Sequence, residues 1–178
     1  MRVIAGEFRS RRLKSIPGDA TRPTPDRLRE TLFDILQTRI GGSVFLDAYA
    51  GTGACGIEAL SRGARHAFFL ERNRTALAAI RENLASLHAE ARATLVPGPV
   101  LKTLANHPAD IVFLDPPYDL ERESTAAMDL LGADPPGLVI VQHSIRKSLA
   151  DDYGALHRTR SVKQGDNVLS FYSPPAPA

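Results

Sequence analysis

Residues 111–118 read Ile-Val-Phe-Leu-Asp-Pro-Pro-Tyr, an apolar run that ends in an acid, two prolines and an aromatic ring. Four β-prone residues predict a buried strand, and Pro116-Pro117 forbids further ladder pairing or a helix directly after it. Asp115, a rigid turn and Tyr118 are thus expected at the carboxyl edge of a sheet, where open α/β proteins bind ligands. The set suits a planar nitrogen base. Tyr118 can stack on its face while Asp115 and the Pro116 carbonyl accept hydrogen bonds from an exocyclic amine. A strand-ending turn with an incidental acid is the simpler reading, and a glycine-rich loop upstream weighs against it.

That loop is Asp47-Ala48-Tyr49-Ala50-Gly51-Thr52-Gly53-Ala54-Cys55-Gly56. Small residues between a strand and a helix let the backbone approach a ligand, and the helix start favours negative groups. Glu71 follows Gly51 by 20 residues, the spacing at which an acid can hold both ribose hydroxyls of a nucleoside. Dehydrogenases and methyltransferases share this pairing. Asp47 would repel a pyrophosphate but can sit near an ammonium or the loop amides. Hydride transfer has no need of Asp-Pro-Pro-Tyr. Both features favour S-adenosylmethionine over a dinucleotide. Cys55, the single thiol, lies on the cofactor side and reads as a packing residue. His66, His88, His107, His143 and His157 show no metal-ligand spacing, and only His143 is placed to border a substrate cleft.

To position these groups the chain must alternate strands and helices. Val44–Asp47, Ala67–Glu71, Thr94–Val96, Ile111–Asp115 and Leu138–Val141 read as strands, with helices from about Ala54 to Arg62, through about Leu87, and around Val100–Ala105. Thr24 is expected to cap an earlier helix with Pro25 at its first position. Leu28, Leu32, Ile35 and Leu36 fall on one face of it, and Gly41-Gly42 should stop it. A hairpin with its turn at Gln164-Gly165-Asp166-Asn167 closes the chain, returning through Val168–Tyr172. Repeated βα units imply a mainly parallel sheet covered on both faces.

The 178 residues suffice for one domain with a substantial core. No apolar run approaches a membrane span and no signal peptide is evident, so a soluble cytoplasmic protein is the default expectation. Net charge is only +2, yet residues 1–30 hold Arg2, Arg9, Arg11, Arg12, Lys14, Arg22, Arg27 and Arg29. Such a concentration attracts phosphate backbones without reading sequence. The expected organisation is a basic N-terminal hairpin arm (1–20, pairing residues 2–5 with 11–16), a catalytic domain (21–173) and a disordered tail (174–178).

Asp47-x-Tyr-Ala-Gly-Thr-Gly, Glu71 and Asp115-Pro-Pro-Tyr118 look like the motifs of amino-group methyltransferases. With Arg22-Pro23-Thr24-Pro25-Asp26-Arg27-Leu28-Arg29-Glu30-Thr31-Leu32-Phe33 and Leu60-Ser61-Arg62-Gly63-Ala64, the chain resembles the RsmD family of bacterial 16S ribosomal RNA guanine-N2 methyltransferases along nearly its whole length. The resemblance implies a Rossmann-like class I fold, α/β, whose seven-stranded sheet ends in an antiparallel hairpin. It implies that Asp47, Gly51 and Gly53, with Ala50 and Thr52 between them, line the methionine side of S-adenosylmethionine. Glu71 would hold the ribose and Arg72 flank the adenine. Family members usually carry polar residues after strand three; Gly98-Pro99-Val100 stands here instead, which leaves backbone groups and apolar packing by Pro99 and Val100. Asp115, Pro116, Pro117 and Tyr118 would form the catalytic turn.

The resemblance further implies 16S ribosomal RNA as partner, presented on small-subunit particles; a monomer is the default expectation, with no metal and no membrane attachment. Arg9, Arg11, Arg12 and Lys14 would then grip RNA phosphates, with Arg22 and Arg27 nearer the site. An adenine-N6 DNA methyltransferase uses the same tetrad, but no separate DNA-recognition domain is visible. A ribosome-assembly binding protein with an idle site is a second alternative, and a dinucleotide oxidoreductase a distant third.

Overall fold

The computed structural model describes residues 1–16, 25–117, 120 and 122–176. Five strands alternate with helices before an antiparallel closure. The order is α1 (Asp26–Leu36), β1 (Val44–Ala48), α2 (Ala54–Ser61), β2 (His66–Glu71), α3 (Arg74–Ser86), β3 (Ala93–Pro97), α4 (Val100–Thr103), β4 (Ile111–Leu114), α5 (Glu123–Ala133) and β5 (Leu138–Ser144). Then follow β6 (Asp152–Tyr153), β7 (Leu156–Gln164) and β8 (Asn167–Ser173). One sheet contains all of them in the order β3-β2-β1-β4-β5-β8-β7-β6. Strands β1 to β5 run parallel, and β8, β7 and β6 are antiparallel. The seven expected strands are present, and the two-residue β6 adds an eighth at one edge.

Strands β1, β4 and β5 are buried on both faces, as their continuous apolar runs require. On one face Phe45, Ile111, Phe113, Leu138 and Ile140 pack under Leu28, Leu32, Phe33 and Leu36 of α1. On the other, Leu46, Val112, Leu114, Val139 and Val141 meet Ala127, Met128 and Leu131 of α5. The chain order reverses between β1 and β4, so the carboxyl ends of these two strands flank the topological switch point.

Helix α1 starts one residue later than the sequence suggests, with Pro25 as its cap, and it stops at Leu36, before Gly41-Gly42. Thr24 lies outside the described residues. The N-terminal hairpin is short: a bridge between Arg2 and Arg12, flanked by Val3 N–H to Arg11 O (2.9 Å) and Ser10 N–H to Val3 O (2.9 Å). Several of its other backbone groups find partners on α2. Buried Glu58 accepts from the amides of Ile4 (2.8 Å) and Ala5 (3.0 Å), and Ser61 Oγ accepts from Phe8 N–H (2.9 Å). Val3, Phe8 and Leu13 share a core with Ile57, Leu60, Ile80 and Leu84. Described residues 1–16 are thus packed along α2 and α3, with their turn at the carboxyl end of α2. Arg29, counted above with the basic surface, is fully buried and donates to Arg2 O (2.6 Å) and Asp26 Oδ1 (3.0 Å).

Candidate active site

Strand β1 delivers Asp47 to the start of α2. Its side chain is 2% exposed, and Oδ2 accepts the Gly56 N–H at 2.8 Å. A carboxylate from the neighbouring strand therefore caps a helix whose own N-cap residue, Gly53, has no side chain to do so. Between them the backbone enters left-handed conformations at Tyr49 (φ 63°), Gly51 (φ 56°) and Gly53 (φ 78°). Helix α2 then crosses β2 closely: a Cβ at Gly56 would stand 2.3 Å from the Phe69 ring. These two demands, turn and close approach, explain the run of small residues.

Strand β2, next to β1, ends in Glu71. Its Oε2 accepts from Gly51 N–H (2.9 Å) and its Oε1 from Asn73 N–H (2.8 Å). Each carboxylate oxygen has a further lone pair available to a hydroxyl group. Asn73 caps α3 through Thr75 and Ala76 N–H. On α3, buried Asn83 accepts from Lys14 N–H (2.7 Å) and donates to the Thr52 carbonyl (3.3 Å), so one amide ties the N-terminal segment to the glycine loop.

On the opposite side of β1, strand β4 ends at Leu114, paired with Ala48. Asp115 follows, its N–H 3.5 Å from the Ala48 carbonyl. A single cleft of about 600 Å³ opens across the ends of β1, β2, β4 and β5. Asp47, Ala50, Gly51 and Thr52 line it from the loop, and Glu71 and Arg72 from β2. Pro99 and Val100 line it beyond β3, and Asp115, Pro116 and Pro117 from the β4 turn. The two halves of the sequence motif therefore share one cavity. Gly53 lies just behind the wall, packed against Ile80 and Phe69.

The cleft is acidic. Burial above all, with the nearby negative charges of Asp115 and Glu71, holds the Asp47 carboxyl well above the ordinary aspartate range, against the pull of the Gly56 amide. Burial also pushes the Tyr49 phenol up, and its hydroxyl donates to Glu123 Oε2 at 2.9 Å across the cleft. This field disfavours polyphosphate and favours a ligand that carries positive charge beside Asp47 and Asp115. Its volume lies within the range of small-molecule sites. Sulfonium and ammonium groups fit that description, and a ribose fits Glu71.

Tyr118 and Arg22 lie outside the described residues. Arg9, Arg11, Arg12, Lys14 and Arg27 are exposed. Arg11 donates to Ser86 O (2.7 Å) and Lys14 pairs with Glu82, which fixes both against α3. Sequence reasoning missed Tyr49, Glu123, Gln142, Asn83 and Glu58. Only Tyr49 stood inside a motif; the others are single polar residues on helix or strand, with no local signal. His143 does border the cleft, its Nε2 2.9 Å from Ser170 Oγ, and burial lowers its pKa.

A parallel sheet closed by an antiparallel hairpin, with an acid ending β2 and a ligand cleft at the β1/β4 switch, defines a class I methyltransferase. A solved Escherichia coli structure described as a candidate methyltransferase, yhhF, superposes with a TM-score of 0.86 at 31% identity, covering 99% of both chains. Residues 1–173 match the family model described as conserved hypothetical protein 95, and the chain belongs to that family, the RsmD family. A Bacillus subtilis relative named as a candidate rRNA methyltransferase, YlbH, is 32% identical over 97% of this chain and 98% of its own. The Haemophilus influenzae protein named ribosomal RNA small subunit methyltransferase D is 41% identical over 66% of this chain and 64% of its own.

Proposed function

We propose that this protein transfers a methyl group from S-adenosylmethionine to the exocyclic N2 amine of a guanine in small-subunit ribosomal RNA. The target nucleotide would be the one at position 966 of 16S rRNA, met within a small-subunit particle. The observation that carries this reading is the shared cleft, in which Asp115 and Pro116 face the same space as the Asp47–Gly53 loop and Glu71. The names of the relatives support the substrate class.

When bound, S-adenosylmethionine supplies an electrophilic methyl group. Glu71 would hold its ribose hydroxyls, Asp47 and the loop amides its methionine end, and Pro99 and Val100 the adenine plane. The amine of guanine is a poor nucleophile because its lone pair is delocalised into the ring. Asp115 and the Pro116 carbonyl, accepting its two N–H groups, favour a pyramidal nitrogen and offset the positive charge that develops there. Asp115 also marks the side on which the surplus proton leaves. Acceptors fixed before the reaction cost no reorganisation during it, and losing one such group lowers rates by roughly 10²–10³. The in-line approach is otherwise a matter of positioning. Exposed Arg9, Arg11, Arg12, Lys14 and Arg27 would hold RNA phosphates outside the cleft.

The test is methyl transfer to small-subunit particles lacking the modification, read by nucleoside analysis, with the wild-type protein and Asp115→Ala. The wild type should form N2-methylguanosine. The variant should lose roughly 10²–10³ in turnover while binding the cofactor nearly as well. Methylated adenine as the product, or full turnover by Asp115→Ala, would overturn the assignment.

A further inference from the structure

We propose that Gln142 reads the target base, its side-chain oxygen accepting the ring N1–H of guanine beside the amine held by Asp115. The inference deepens the function proposed above and rests on it.

The parallel register places the two residues together. Ile111 pairs with Leu138, Phe113 with Ile140 and Leu114 with Val141. Carried one step past the last pair, the same register sets Asp115 opposite Gln142. Side chains alternate along a strand, and paired residues of neighbouring strands point the same way. Phe113 and Ile140 both enter the core under α1, whereas Leu114 and Val141 both enter the core under α5. The next pair, Asp115 and Gln142, therefore returns to the α1 side. Neighbouring strands lie about 4.7–4.9 Å apart, so a pair at this register would set two acceptors side by side. Both line the cleft, as do the apolar Phe113 and Pro25.

Gln142 is also conspicuous energetically. Its Oε1 is buried and has no hydrogen-bond partner among the described residues. Buried acceptors are nearly always paired, and one left open at the edge of a ligand cleft is explained if the ligand supplies the donor. Guanine presents two neighbouring donors, N2–H and N1–H, which match a row of two acceptors. Adenine presents N6–H beside the N1 lone pair, and that lone pair would face an oxygen. Cytosine likewise sets an amine beside a ring acceptor. With the amide oxygen turned to the base, the pair Asp115–Gln142 thus selects guanine among the amino-bearing bases.

Three full-length proteins test this: the wild type, Gln142→Glu and Gln142→Leu. Glutamate has oxygen at both terminal positions and retains the acceptor whichever way the amide lies; leucine fills similar volume without one. Methyl transfer from radiolabelled S-adenosylmethionine to unmodified small-subunit particles gives kcat/KM, and calorimetry gives cofactor affinity. Gln142→Leu should lose about 10–100-fold in kcat/KM, the scale of one lost base-edge contact, with cofactor affinity unchanged. Gln142→Glu should keep most of the wild-type rate. Full activity in Gln142→Leu, or equal losses in both variants, would overturn the role of Gln142 while leaving N2 methylation by the wild type intact. A wild type that makes no N2-methylguanosine would instead remove the function proposed above, and this inference with it.

Discussion

Glu71 anchors the glycine loop and, in the proposed complex, holds a ribose, two tasks that a single substitution can separate. In the free protein its oxygens hold Gly51 N–H (2.9 Å) and Asn73 N–H (2.8 Å), anchoring the glycine loop to the end of β2. In the proposed complex they also take ribose hydroxyls. Glu71→Ala leaves both amides without that partner. Hydrogen bonds to a charged group contribute about 1.5–3 kcal/mol each, and partial exposure at this edge places these near the lower limit. The expected loss of stability is therefore about 3 kcal/mol for the pair. For a chain of this size that lowers Tm by roughly 6–12 °C. The ribose contacts add a separate loss on binding of about 1.5–3 kcal/mol, which is roughly 10–150-fold in Kd. Thermal denaturation measures the first quantity and titration calorimetry with S-adenosylmethionine, well below Tm, the second. A Tm that falls as calculated with an unchanged Kd would show that Glu71 is a loop anchor alone, and the nucleoside assignment would fail.

Other expectations follow from the same geometry. Asp47 has a raised carboxyl pKa, caused first by burial, so folding takes up a proton there. Its favourable contribution is complete below the ordinary aspartate value and is lost as pH rises through the folded-state value. Asp47→Asn should accordingly melt higher than the wild type near neutral pH, with the difference shrinking in acid, while binding the cofactor more weakly; a lower Tm at neutral pH would contradict the charge argument. Glu58→Leu removes a buried carboxylate that holds Ile4 N–H, Ala5 N–H and Arg62 Nε. Breaking such a pair costs about 3–5 kcal/mol, and easier proteolysis of residues 1–16 should accompany the drop in Tm. Reversing charge at Arg11 and Arg12 should weaken RNA binding and flatten its salt dependence by roughly 0.7–0.9 per lost phosphate contact, with cofactor affinity untouched. Unchanged RNA affinity would withdraw these residues from the interface.

The strands that carry Asp47, Glu71 and Asp115 were legible because each is a short apolar run ended by an acid and a turn residue. Helix α5 was not. Its buried residues Ser124, Ala127, Met128, Leu131 and Gly132 have helical spacing, but most are small or polar and give little hydropathy signal. Gly132 is small for a tertiary reason: a Cβ there would stand 2.1 Å from the Tyr153 carbonyl oxygen. Arg29 failed the other way, read as surface charge and found in the core.

By itself, then, the sequence determined the chemistry of the individual turns. Proline, glycine and an acid at a strand end constrain the backbone within a few residues, whatever the rest of the chain does. Tertiary structure decided which of those turns meet. The β1/β4 pairing brings the glycine loop beside Asp115, and the β4/β5 pairing brings Gln142 into the same cleft. Glu58, 53 or more residues away in sequence from the amides it binds, fixes the N-terminal segment. Such contacts depend on register and helix placement summed over the whole core, and no local pattern of residue types encodes them.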